Sequence, residues 1–510
     1  MQRELKGALF VFAIGVFMAA LDNGIITASL TTLIYAFDVS ATWGSWTITL
    51  YTLGLAISVP IVGKLSDQFG RKRLFIIEIA LFGLGSLLVA LSVNFPMFLT
   101  ARFIQSLGGG GIFIIASSFI LNTFPKEKQG RALGVIGGMN GIAAVLGPNV
   151  GALILQLTGS WHWLFLINIP IAILLLLFGV KYINEEQELH HEKMDWAGIF
   201  LLTSAILSLM LSLTMLEGSN IITSLLQPRF FIFAVLAIVL IATLIQVEKR
   251  IARKREPLLP IRLFQTSSFL WTLVLASFSG MILASVIFIP GFLEQYLQIP
   301  REQAGYWFTP LAIASGVGAG GGGTLVDKKG PITTLLTASI IAFIGFFLFP
   351  LWVETIWQMV IASIFVGLGF GMMLGAPINV LATEKTEERK GVALGTTSLF
   401  RQLGMTLAPT LYAGFIARTF SNLDQRAQAN LKEANLSTEG VPGHEDNRAQ
   451  ISEFQTIQSD FQSVSDDQVR DVLLETLQTV VGQGYNGLFY SAMTISVFMF
   501  IGALYVKKLR

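Results

Sequence analysis

The sequence predicts an all-α integral membrane fold, with two six-helix bundles and two helices inserted between them. Three observations carry that prediction. The composition is too apolar for water, fourteen apolar runs have membrane-spanning length, and parts of the chain repeat at an offset of about 260 residues. Of 510 residues, 53% are hydrophobic and 13% charged, whereas a soluble domain carries about 25% charged residues. A soluble chain of this composition would expose more apolar surface than water tolerates. Glycine (49) and phenylalanine (39) are abundant, as expected where helices pack closely in lipid. The absence of cysteine rules out disulfides and thiolate metal sites, and four scattered histidines argue against a histidine metal site.

Spanning the bilayer takes about 20 mostly apolar residues. Such runs lie near 7–33, 43–62, 74–94, 97–122, 132–156, 162–182, 196–216, 229–247, 267–292, 305–325, 333–352, 356–380, 391–417 and 487–506. They lack the alternation of barrel strands, so each is read as a helix. The first run carries Asp22, is long, and lacks a small-residue cleavage site after a short core. It is therefore expected to be span 1 rather than a cleaved leader.

The basic residues test the number of spans. With the N-terminus in the cytoplasm, the short cytoplasmic segments hold 25 lysines and arginines, among them Lys64, Lys126, Lys128, Arg131, Lys249 and Arg250. The short external loops hold two, Arg229 and Arg301. A wrong number of spans would scramble this positive-inside asymmetry, so both termini are expected in the cytoplasm. Residues 418–486 are polar and follow span 13 on the external side. Helical spacing of Val469, Val472, Leu473, Leu477 and Val480 suggests either a small helical cap or a solvated connector with partial helix.

The repeat orders the domains. Gly63 through Gly70 matches Gly323 through Gly330, so that Asp67 corresponds to Asp327. Gly130 through Gly134 matches Gly391 through Gly395, and Gly147-Pro148 matches Ala408-Pro409. The offset covers eight spans. Two parallel halves, 1–185 and 261–510, with two inserted helices and a basic linker over 186–260, account for it. Parallel six-helix halves place a substrate near the membrane midplane between bundles that rock, which argues for alternating access.

Several motifs fall at fixed places in this scheme. Gly63-x-Leu65-x-Asp67-x-x-Gly70-Arg71-Lys72-Arg73 forms the loop between spans 2 and 3. Span 4 holds Arg102-Phe103-Ile104-Gln105, and span 5 holds Gly137, Gly141, Gly147, Pro148 and Gly151. Small residues at helical spacing let a neighbour pack closely, and Pro148 loosens the backbone locally. With Leu21-Asp22, the string Trp161 through Pro170 and Arg401-Gln402-Leu403-Gly404, these motifs resemble those of the major facilitator superfamily. The similarity is greatest to its fourteen-helix drug:proton antiporter branch of the QacA and EmrB type, and it covers nearly the whole chain. Ser106 and Ala152 replace glycines common in the branch. The resemblance implies that the Asp67 loop latches the cytoplasmic side, that the Gly-Pro element marks antiport, and that spans 1 and 4 line a central cavity.

Charges inside spans are costly and by default mark function. They are Asp22, Glu78, Arg102 and Arg401, with Glu294 near the external end of span 9. At about 1.5 Å per residue, Asp22 rises roughly 22 Å from the cytoplasm and Arg102 descends roughly 8 Å from outside. In a core of about 30 Å the two lie at similar depth. Asp22 is therefore expected to couple protons or bind cations, with Arg102 tuning it, or else to form a permanent bridge between spans 1 and 4. Glu78 is expected to snorkel or to meet the basic loop at Arg71–Arg73. Glu294 either screens cations at the external mouth or sits in an interfacial belt, and Arg401 with Gln402 positions span 13.

The function expected is proton-coupled export of amphipathic, lipophilic and cationic compounds across a bacterial cell membrane. A dedicated exporter of one metabolite, lipid or peptide is the alternative, with an importer or a non-transporting sensor ranked lower. No nucleotide-binding loop occurs, so neither an enzyme nor a self-contained ATP drive is expected, and no cofactor is needed beyond the proton gradient. The expected partners are small amphipaths, protons and lipid, with no nucleic acid, and the carrier is expected to be a monomer.

Overall fold

The structure is a computed structural model in which residues 2–184, 195–216, 221–251, 261–384, 390–436 and 454–509 are described. Regular secondary structure among them is all helix. The first half contributes α1 (Gln2–Phe37), α2 (Ala41–Phe69), α3 (Arg71–Ala90), α4 (Phe95–Gly110), α5 (Ile112–Thr123), α6 (Lys126–Thr158), α7 (Trp163–Leu166) and α8 (Asn168–Tyr182). The insertion holds α9 (Trp196–Thr214), α10 (Ile221–Leu226), α11 (Pro228–Ile251) and the short α12 (Ile261–Phe264). The second half begins with α13 (Ser267–Val286), α14 (Ile289–Gln295), α15 (Arg301–Lys329), α16 (Pro331–Trp352), α17 (Ile356–Leu374) and α18 (Pro377–Thr383). It ends with α19 (Lys390–Phe420), α20 (Leu423–Glu433), α21 (Phe454–Gln462) and α22 (Asp467–Leu509).

Twelve helical stretches are long and apolar enough to cross a membrane. The other two of the fourteen expected spans, α15 and α19, have 29 and 31 residues and fall short in apolarity rather than length. Their composition follows from position. Gly318, Gly322 and Gly323 of α15 lie against other helices, while Gly320 and Gly321 are exposed, and Thr396, Thr397 and Arg401 of α19 are buried; small residues let the backbones approach. Several spans are broken in mid-course, as where Gly111 separates α4 from α5.

The repeat is visible in the turns. Gly70 between α2 and α3 has φ 91°, and Gly330 between α15 and α16 has φ 84°. Both lie in the left-handed region that a Cβ disfavours. Beyond each turn a helix starts at once, at Arg71 and at Pro331.

Each half has its own core. Phe12, Phe75, Phe82 and Phe119 belong to the first, and Phe292, Phe346, Phe349 and Phe489 to the second. The inserted helices pack at the seam between halves. Leu202, Ile206 and Met210 of α9 meet Leu53, Ala56 and Ile57 of α2, with Leu399 and Leu403 of α19 against them. Leu244 of α11 backs that cluster, while Phe231, Ile232, Ile238 and Val239 of α11 are exposed, an apolar face suited to lipid.

The polar segment before the last span forms a helical cap. Leu423, Ala427 and Leu431 of α20 and Phe454, Ile457 and Phe461 of α21 are buried in the second half's core. Val469, Leu473, Leu477 and Val480 are buried with them, and they belong to the same helix as the last span. That helix, α22, has 43 residues and is about 64 Å long, roughly twice the hydrocarbon thickness. Residues 437–453 of the expected loop lie outside the described residues, as do 186–194, 217–220 and 252–260 of the expected insertion and linker.

Candidate functional site

Five helices of the first half converge on Asp22. α1 supplies the aspartate, α4 Arg102 and Gln105, α3 Ser86, α8 Asn168 and α2 Tyr51. Asp22 is 1% exposed and Arg102 and Gln105 are fully buried. Arg102 Nη1 donates to Asp22 Oδ2 at 2.7 Å and to Gln105 Oε1 at 2.6 Å. Asp22 Oδ1 accepts from Gln105 Nε2 and Asn168 Nδ2, both at 2.9 Å. Ser86 Oγ accepts from the same two amides, at 2.6 and 3.3 Å. The Arg102 guanidinium carbon stands 4.0 Å from the centre of the Tyr51 ring, a cation–π stack that adds to the carboxylate pairing.

The contact expected from equal depth, Asp22 with Arg102, is thus present. Taking two ions out of water is tolerated only where geometry and further hydrogen bonds compensate, and here both Asp22 oxygens are engaged. The compensation is incomplete on the basic side. Arg102 Nε and Nη2 and Asn168 Oδ1 are buried without a hydrogen bond among the described residues. Asp22 is thus held by one arginine and by neutral amide side chains.

Glu78 departs from both expectations for it. It is 4% exposed and does not snorkel, and the basic loop is not its partner. Its Oε2 accepts from the backbone N–H of Gly111 at 3.0 Å. Gly111 lies where span 4 breaks, and a broken helix leaves an N–H with no intrahelical acceptor. The carboxyl fills that role.

The motif expected as a loop lies instead on the last turns of α2 and the first turn of α3, with Gly70 alone between them, and it bridges the halves at the end of the molecule where the basic residues gather. Asp67 Oδ1 accepts from Arg71 Nη2 at 3.2 Å, and Oδ2 accepts from Val392 N at 3.1 Å, at the start of α19. Arg71 also donates through Nε to Ser118 Oγ at 2.9 Å, and Lys72 Nζ donates to Val180 O at 2.8 Å. Arg73 is exposed on the same turn. In the second half, Asp327 accepts from Gly130 N at 2.6 Å and Arg131 N at 3.0 Å, at the start of α6. Burial raises both acids' need for partners, and helix-start N–H groups with their favourable dipole meet it.

The span 5 glycines divide between two neighbours. Gly137 lies against Gly375 and Gly141 against Ser315 in the second half, whereas Gly147 and Gly151 lie against Gly24 and Ile25 of α1. A Cβ on Gly24 would stand 2.8 Å from Gly147 Cα and 3.3 Å from Pro148 Cδ, so only glycine permits this approach two residues from Asp22.

The model of the Major Facilitator Superfamily matches residues 12–409. The chain belongs to the major facilitator superfamily. It is similar to the MFS-type transporter YfiU of Bacillus subtilis (strain 168), at 51% identity over 510 residues, covering 100% of this chain and 98% of YfiU. It is 30% identical over 524 residues to Multidrug resistance protein 3 of the same organism, covering 100% of this chain and 96% of that one. Among solved structures, the proton:xylose symporter XylE superposes with TM-score 0.61 at 14% identity, covering 98% of this chain and 96% of that chain. The major facilitator fold and a transporter rather than an enzyme follow, as does a multi-pass membrane protein with a bacterial relative.

Within this major facilitator chain the second half carries fewer in-span charges. Arg401 is buried and donates through Nε to Ser279 Oγ at 3.3 Å. Gln402 is partly buried, and its backbone oxygen accepts from Thr406 Oγ1 at 3.0 Å. Glu294 Oε1 accepts from Gln455 Nε2 of the cap at 3.1 Å. Sequence reasoning did not single out Tyr51, Ser86 or Asn168. Asn168 stood inside the quoted string Trp161 through Pro170, and an amide within a span was the signal available.

Proposed function

We propose that this transporter is a proton-coupled antiporter exporting amphipathic, lipophilic compounds, cationic ones among them, by alternating access. The observation that carries the reading is the wholly buried Asp22–Arg102 pair, 2.7 Å apart on helices of one half, in a conformation whose halves are joined at the basic end. The basic end is assigned to the cytoplasm, with both termini there, on the 25-to-two distribution of lysine and arginine. A proton or a cationic group arriving from the cavity competes with Arg102 for the Asp22 carboxylate. Protonation from outside releases the substrate and neutralises Asp22, leaving Arg102 charged. The protonated carrier then returns and loses the proton to the cytoplasm. Similarity to Multidrug resistance protein 3 supports the substrate class, and the Gly-Pro element of span 5 supports antiport over symport.

The test uses purified protein in liposomes with an internal pH-sensitive dye, an imposed proton gradient and a panel of lipophilic cations and other amphipaths. Substrate-triggered proton flux in the wild type, lost in Asp22→Asn, is the expected result. Flux that survives the substitution removes Asp22 from the coupling step and moves that role to Glu78 or Glu294. Silence across the panel, from protein that is folded, overturns the broad substrate range in favour of a dedicated exporter.

A further inference from the structure

The second half holds a buried cation that the proton-coupling reading leaves unused. Arg401 lies eleven residues into α19, which starts at Lys390 near the basic end. It therefore sits about 16 Å into a core of about 30 Å. It is 7% exposed. Its Nε donates to Ser279 Oγ of α13 at 3.3 Å, and its Nη2 is buried without a hydrogen bond among the described residues. No carboxylate of the described residues pairs with it. The guanidinium carbon stands 6.0 Å from the ring centre of Phe113, which belongs to α5 of the opposite half.

The contrast with Arg102 is what makes this informative. Arg102 lies at the same class of depth and is neutralised by Asp22 at 2.7 Å, whereas Arg401 keeps a whole positive charge. An arginine cannot discharge itself by losing its proton. A lone guanidinium at the centre of a span is costly and by default marks function. Its planar fork, with Nε held by a serine and Nη2 buried and unpaired among the described residues, has the shape that takes a carboxylate or sulfonate. The Phe113 ring across the seam offers an apolar surface beside the guanidinium.

We propose that Arg401, steadied by Ser279, is an acid-binding subsite. It receives the carboxylate or sulfonate group of an amphipathic substrate whose apolar body lies against Phe113. The proposal rests on the transport reading above and adds to it that the carrier accepts acids and zwitterions as well as cations. Because Arg401 and Phe113 belong to different halves, the rocking that separates the halves opens the subsite and their return encloses its occupant.

A pair of probes of one shape and opposite charge tests this: 1-naphthylacetate and 1-naphthylmethylammonium. Binding is measured by microscale thermophoresis on protein in phosphatidylcholine nanodiscs, which offer no anionic lipid, and without a proton gradient. Arg401→Gln is expected to weaken naphthylacetate at least tenfold while leaving the ammonium probe within about twofold. Arg401→Lys should recover part of the loss, and Ser279→Ala should weaken the acid alone, about threefold. If Arg401→Gln does not fold, the lysine and alanine variants carry the same comparison. Undetectable acid binding, an acid affinity indifferent to residue 401, or an equal loss for both probes overturns the subsite. The dye assay separates the two readings. Arg401-dependent acid binding without any proton flux keeps the subsite and discards the coupling. Cation-driven flux with no Arg401-dependent acid binding does the reverse.

Discussion

Asp67 and Asp327, 260 residues apart, bind the opposite halves in mirror fashion. Asp67 of the first half takes the N–H of Val392, and Asp327 of the second takes those of Gly130 and Arg131. Val392 is Arg131 advanced by the repeat offset of 261, so one exchange is written twice. The glycines follow the same rule, Gly63 lying against Gly391 and Gly323 against Gly130. What the repeat conserves is a contact between copies, and that contact closes one end of the transporter.

The first prediction concerns these acids. Hydrogen bonds to a charged group are worth roughly 1.5–3 kcal/mol. Asp67→Ala and Asp327→Ala should therefore each shift the balance toward an open basic end by a factor of about 10–150. The chain has no cysteine, so spin labels at Lys126→Cys and Lys328→Cys, both exposed, report the opening cleanly. An unchanged distance distribution in both variants refutes the latch.

Valine at Gly130 should act more strongly than loss of either acid. Its Cβ would fall against the Gly323 carbonyl oxygen, which is backbone and has no rotamer to yield. The same spin-label pair should show the basic end held apart, with substrate-triggered flux lost. Normal closure in that variant contradicts the contact.

Asp22→Asn removes one partner of a fully buried ion pair and leaves Arg102 charged, which costs about 3–5 kcal/mol. Asp22→Asn combined with Arg102→Gln should cost less than the sum of the two single changes. Thermal unfolding of the four proteins gives the coupling, and strict additivity argues that the pair is not formed in the membrane.

Glu78 should tolerate glutamine and not alanine. Glutamine keeps an acceptor for the Gly111 N–H, whereas alanine leaves that buried donor unpaired at a cost of about 1–3 kcal/mol. Equal melting temperatures for Glu78→Gln and Glu78→Ala contradict the helix-break role.

The cap should travel with the second half. Gln458 Nε2 donates to Gln298 Oε1 at 2.7 Å, and Tyr485 donates to Gln295 Oε1 at 3.0 Å. A disulfide from Gln298→Cys with Gln458→Cys is expected to form readily and leave the transport rate unchanged. Arrest on oxidation, relieved by reductant, shows instead that the cap moves against its bundle during the cycle.

Much of this fold could be read from one chain because lipid is an undemanding but strict solvent. It requires long helices, it is paired with a rule for where lysine and arginine lie, and it makes a charge such as Asp22 or Arg102 stand out at a depth set by simple rise per residue. The offset of the repeat likewise named Asp67 and Asp327 as equivalents. Other features were out of reach. The capture of Glu78 by Gly111, the gathering of Ser86, Asn168 and Tyr51 around Asp22, and the fastening of α20 and α21 to α22 depend on which helices stand side by side. In an apolar medium, lateral order leaves little trace in hydropathy, because a lipid-facing leucine and a packed one look alike. The sequence by itself determined the helical membrane class, where the apolar runs fall and the repeat. Only the tertiary structure decided which backbone N–H buried acids such as Asp67 and Glu78 meet and that Arg401 stands without a carboxylate among the described residues, because hydrogen bonds are set by distances of a few ångströms between helices that sequence order does not place.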